Sequence, residues 1–127
     1  MTKNAFTMIE LIFVIVVLGI LASIAIPKFA ATREDAKISA ARATVAAVRS
    51  GIVSERQKRM LRGDTTYITS LGDNFIGVLS YPAKDWTRSN ESYSIVIGPN
   101  TCTYTYDNTT GQFTASSPTG LCTAVDY

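Results

Sequence analysis

The chain has 127 residues, a formal net charge of +2, two cysteines and no histidine. That length is one domain's worth, and so small a charge gives no argument for nucleic acid or for an acidic partner. Without histidine there is no Ser-His or Cys-His nucleophile and no histidine metal site. No glycine-rich phosphate loop occurs, and the scattered carboxylates show no pairing. The sequence therefore reads as a non-enzyme, with no cofactor and no metal site.

The first element is an apolar run. Phe6 to Ile26 contains a single charged residue, Glu10. As a helix it spans about 30 Å, the thickness of one hydrocarbon core. Lys3 precedes it and Lys28 and Arg33 follow it, so flanking charge does not orient it. A cleaved secretory signal is the weaker reading: the basic region is one lysine, the core is too long, and no good A-x-A site ends it. About 100 residues remain for a water-facing body, enough for one modest core.

Glu10 is costly in apolar surroundings. Two readings stand side by side. Thr7-Met8-Ile9-Glu10 has the T-x-x-E form of a capping box, with Thr7 at the N-cap, and an acid suits the positive end of the helix dipole. Alternatively, a neighbouring chain supplies a cation.

The residues "AFTMIEL", the short polar leader before them, the apolar run and "IPKF" after it closely resemble the N-terminus of type IV pilins and type II secretion pseudopilins. The likeness covers Lys3 to Phe29 and continues loosely along the following helix. It implies that a prepilin peptidase cuts between Ala5 and Phe6 and methylates the new amine of Phe6. The family usually has glycine before the cut, where this chain has Ala5. Glu10 matches the acid that pairs with the freed amine of Phe6 on an adjacent subunit and sets the register of a filament. The resemblance further implies a single-pass bacterial inner-membrane protein, its N-terminus cytoplasmic and its C-terminal domain periplasmic. Its implied partners are further copies, other pilin-like subunits, the peptidase and an inner-membrane assembly platform.

Pro27 falls inside what reads as one long helix and predicts a kink. Gly19, Ala22 and Ser23 weaken the same stretch. Beyond it, Ile38, Ala41, Val45, Val48 and Ile52 form an apolar stripe at steps of three and four. Arg33, Glu34, Lys37, Arg42 and Arg49 lie on the opposite face, which reads as solvated. Glu55 and Arg59 are spaced for an ion pair. Arg56, Lys58, Arg59 and Arg62 suit a helix C-terminus, with Gly63 as the stop. Four cations with no interleaved aromatics are a weak signal for DNA and read as a solvated helix end.

Gly63 to Ser92 reads as loop, carrying Ile68, Leu71, Phe75, Ile76, Val78 and Leu79 onto the helix, with Trp86 in the core. "SYSIVI", "TCTYTYD" and "QFTAS" read as strands, joined by turns at "GPN" and "DNTTG". Cys102, Tyr104 and Tyr106 share one face of the second strand. Cys102 and Cys122 read as a disulfide, since a lone pair in a small domain outside the membrane most often forms one. The sequons at Asn90 and Asn108 read as chance. The resemblance to pseudopilins raises Asp107 and Asp126 as calcium ligands, but no ligand loop of known spacing accompanies them.

The expected fold is α+β: a long N-terminal helix against a small antiparallel sheet of three or more strands. The expected divisions are a leader at 1–5, a membrane and assembly helix at 6–26, an amphipathic helix at 27–62, and a loop and sheet at 63–127. The reading favours a structural subunit of a type IV-like filament. The short body leans it toward a type II secretion pseudopilin; the C-terminal cysteine pair favours a pilin of adhesion, motility or DNA uptake. A non-polymerising bitopic periplasmic binding protein is the reading of another class.

Overall fold

The computed structural model describes residues 3–116 and 118–126, so Met1 and Thr2 of the expected leader lie outside the described residues. Helix α1 is Met8–Met60. Four strands follow: β1 Trp86–Ser89, β2 Ser92–Ile97, β3 Asn100–Asp107 and β4 Gln112–Ala115, with short 3₁₀ turns at Asp73–Phe75 and Gly120–Ala124. The strands form one antiparallel sheet in sequence order. The chain divides into two compact units, Met1–Asp35 and Ala36–Tyr127.

In the first unit the helix continues without a break through Pro27. Ser23 Oγ donates to the Ile20 carbonyl at 2.7 Å, and Thr32 Oγ1 to the Lys28 carbonyl at 3.0 Å. The large apolar side chains from Phe6 to Phe29, Val17 apart, are exposed. Helix α1 is long and apolar enough to cross a membrane.

The second unit has its own core. The stripe read from the sequence is buried at Ala41, Val45, Val48 and Ile52, with Ile38 packed at its margin. Opposite it lie the inward side chains of the sheet: Trp86, Tyr93, Ile95, Ile97, Cys102, Tyr104, Tyr106 and Phe113. Strict alternation along β3 puts Cys102, Tyr104 and Tyr106 inside, and Thr101, Thr103 and Thr105 on the other face. Aromatic rings make the middle of this core. Phe75 stacks on Tyr93 at 4.6 Å and meets Trp86 edge-on at 5.3 Å, while Tyr104 stacks on Phe113 at 5.2 Å. Their large buried area and preferred ring geometry supply much of what a body this small can gather.

Two expectations about the loop region change. Trp86–Ser89 is a strand rather than loop, paired with β2 as Trp86↔Ile95 and Ser89↔Ser92. Asn90, at φ 56°, makes the tight turn between them. Ile76 is exposed rather than in the core. Gly72, Asn74 and Phe75 all have positive φ; these left-handed residues turn Phe75 inward and Ile76 out.

Both sheet edges are short and blunted. At β1 the Trp86 amide donates to Ala83 O at 3.2 Å, and Arg88 folds back onto Asp73 and Ser70 at 3.1 and 2.9 Å. At β4 the Phe113 carbonyl accepts from Arg49 Nε at 3.0 Å. Such devices keep an edge from pairing with another chain.

Candidate functional site at the helix N-terminus

The helix begins where the capping box places it. Glu10 Oε2 accepts from the Thr7 amide and from Thr7 Oγ1, both at 3.1 Å. In return the Glu10 amide donates to Thr7 Oγ1 at 3.4 Å. The Leu11 amide closes the first turn on the Thr7 carbonyl at 3.2 Å. Donors that a helix start leaves unpaired are thus taken up reciprocally. Within a single chain, then, Glu10 is a helix cap.

Ala5 and Phe6 precede this turn in non-helical backbone. Phe6 is 89% exposed. The peptide bond between them lies in exposed, irregular chain. Two open hollows flank Glu10. One of about 350 Å³ is lined by Phe6, Ile9, Phe13 and Val14 with Glu10. The other, of about 320 Å³, is lined by Asn4, Ala5, Phe6 and Glu10.

At the other end of the chain, Cys102 and Cys122 form a disulfide that closes 20 residues of sequence. Both cysteines are buried. On the chain-entropy account such a loop stabilises by roughly 3 kcal/mol.

The tail has a second set of anchors that the sequence reading missed. Arg42, assigned to a solvated face, donates through Nε and Nη2 to the Ala124 carbonyl. Arg49, assigned likewise, donates to Asp126 Oδ1 at 2.7 Å as well as to Phe113 O. Arg56 donates to the Tyr67 hydroxyl and lies over its ring, 4.1 Å from the centroid. These three arginines are seven residues apart, two helical turns, and so share one flank of the helix. The signal was that spacing, hidden by counting every charge on the helix as solvated. The expected Glu55–Arg59 pair is replaced by Lys58–Glu55 and Arg59–Asp64, each at 3.3 Å.

Asp126 and Asp107 both have partners within the chain. Asp126 holds Arg49. Asp107 accepts from the Thr109 amide and from the hydroxyls of Thr109 and Thr110 in the β3–β4 turn. Those bonds, Thr109's first, hold its carboxyl down at about 2. Burial, and then the Asp126 carboxylate, push Tyr104 up to about 12 against the opposing pull of Arg49. The Tyr104 hydroxyl is buried with no hydrogen-bond partner among the described residues.

Residues 1–26 match the family model described as the prokaryotic N-terminal methylation motif. Over 107 residues the chain is 33% identical to the type IV narrow pilus major component PilA5 of Thermus thermophilus, a match covering 83% of this chain and 87% of that protein. The chain belongs to the type IV pilin-like family. Helix, four-stranded sheet and disulfide together are a pilin-like α+β architecture. No solved structure matches. The apolar helix and the motif of this pilin-like chain fit a membrane-anchored pilin.

Proposed function

We propose that this pilin-like chain is the repeating structural subunit of a pilus. Before assembly it is held in the inner membrane by residues 6–26, its N-terminus cytoplasmic and its body periplasmic. One observation carries the reading: a methylation motif at residues 1–26 sits on a helix whose apolar side chains are exposed. Such a surface must be covered by lipid or by further copies.

In this reading a prepilin peptidase cuts after Ala5, and the new amine of Phe6 is a cation at a helix start. In a filament the apolar helices bundle and water is excluded. Each buried charge then needs an opposite one, and Glu10 of a neighbouring copy supplies it. The pairing fixes axial register. Gly19 and Pro27 bracket the stretch where the helix is easiest to bend or extend. An assembly platform in the inner membrane and other pilin-like subunits complete the machine. Between the two kinds of filament, the relative named as a pilus component and the pinned tail support a pilus. The secretion pseudopilin reading rests on the short body alone.

Mass spectrometry of chains recovered from native membranes is expected to find Phe6 first, carrying one methyl. Electron microscopy is expected to find surface filaments, lost in Glu10→Val while the body keeps its thermal midpoint. Normal filament yield from Glu10→Val sinks the register role. Loss of protein export on deletion, with no surface filaments in the wild type, moves the chain to the secretion class.

A further inference from the structure

We propose that Thr7 is a latch, holding the Glu10 carboxylate inside its own chain until the amine of a neighbouring copy takes it over. The inference rests on the filament reading above and assigns an assembly role to a residue that the reading leaves idle.

The geometry points to an exchange of partners rather than the filling of a vacancy. Both Thr7 donors end on one oxygen, Oε2, and Oε1 accepts nothing among the described residues. The Glu10 side chain is exposed, and the hollow that Phe6, Ile9, Phe13 and Val14 line beside it owes nothing to residues 1–5. A second group can therefore reach it without displacing the helix backbone. A lone anion at the edge of a hydrocarbon layer is costly. Two donors from Thr7 lower that cost in an unassembled chain and keep one carboxylate oxygen occupied. An ammonium group offers a full charge as well as donors, and charge-assisted bonds are the stronger kind. The neighbour therefore wins, but only by the difference between the two. The strength of the Thr7 bonds then sets how densely copies must gather before they associate. A precursor that still carries residues 1–5 offers no amine at Phe6, so its latch is unopposed.

The Thr7 hydroxyl has two tasks, donating to Oε2 and accepting from the Glu10 amide. Thr7→Val removes both with little change of shape, and Thr7→Ser keeps both. The latch itself is read first, in the uncleaved full chain in detergent micelles. Amide exchange at residue 7 is expected to be about tenfold slower than in Glu10→Ala, one charge-assisted bond's worth. Equal exchange overturns the proposal whatever the chain assembles into.

Association is read next, by cross-linking full-length and peptidase-processed chains in lipid vesicles at graded densities. Processed Thr7→Val is expected to associate at about tenfold lower density than the wild type, and Thr7→Ser at the wild-type density. In a Glu10→Gln background the Thr7→Val effect should vanish. Unchanged or weaker association of Thr7→Val overturns the latch. So does the same effect with Glu10→Gln, which would make Thr7 a helix cap alone. A wild-type chain that never associates retires the filament reading and the latch with it, even with the residue 7 amide protected, whereas a wild type that associates while Thr7→Val matches it overturns the latch alone.

Discussion

Residues 3–35 and residues 36–126 solve the same problem in opposite ways. In the first stretch apolar side chains face outward, and the polar interactions within it are local to the helix backbone and the capping box. In the second, aromatic rings from the sheet close over the apolar stripe of the helix, and a disulfide and arginines tie the tail down. One stretch needs other molecules to finish its burial, and the other finishes its own. Secondary structure alone does not decide which is which, because a single helix, Met8–Met60, serves both.

Cutting the chain between the two stretches is the largest test of that contrast. A body beginning at Ala36 keeps the whole core stripe from Ile38 onward and is expected to fold cooperatively in water, by circular dichroism and sedimentation. The full chain is expected to need detergent. An unfolded or aggregated body would show that the first stretch contributes to its core. Next in size is the disulfide. Replacing Cys102 and Cys122 by serine together should cost about 3 kcal/mol. That lowers the melting midpoint of the body by roughly 10–20 °C, with no change at the capping box.

A smaller effect of opposite sign is expected at Tyr104, whose hydroxyl is buried without a partner among the described residues. Tyr104→Phe removes that unmet desolvation and should stabilise the body by about 1 kcal/mol in a denaturant titration. A loss of stability would mean that the hydroxyl has a partner, such as a buried water. The smallest effect concerns Asp107, whose carboxyl titrates at about 2 when folded against an ordinary 3.8. The group binds its proton more weakly in the folded state, so its contribution is present above 3.8 and disappears as pH falls through about 2. Asp107→Asn should therefore lower stability slightly at neutral pH, leave it nearly unchanged below about pH 2, and flatten the acid-unfolding curve between 3.8 and about 2.

Much of this was legible beforehand because it depends on periodicity or on short-range chemistry. Ile38 to Ile52 repeat at helical spacing, β3 alternates strictly, and Thr7 and Glu10 are three residues apart. What escaped depends on contacts distant in sequence. Trp86–Ser89 carries one apolar residue and no alternation, so only its pairing with β2 makes it a strand. Ile76 turns outward because three neighbours take left-handed backbone, which no composition reveals. Arg42 and Arg49 look like solvated charges until the tail, roughly eighty residues on, arrives beside them. Of the two readings left open for Glu10, the capping box is local and appears within the chain, whereas a partner from another chain is a property of the assembly.

Blunted edges on the sheet carry a consequence for any fibre this protein makes. With the Phe113 carbonyl occupied by Arg49 and the Trp86 amide by Ala83, each short edge offers a broken row of backbone groups to a strand from another body. An oriented specimen should therefore diffract X-rays as a bundle of helices, with an axial repeat near 1.5 Å per residue, and should lack the meridional arc near 4.7 Å that marks amyloid. Dyes that recognise amyloid grooves should leave the same specimen unstained.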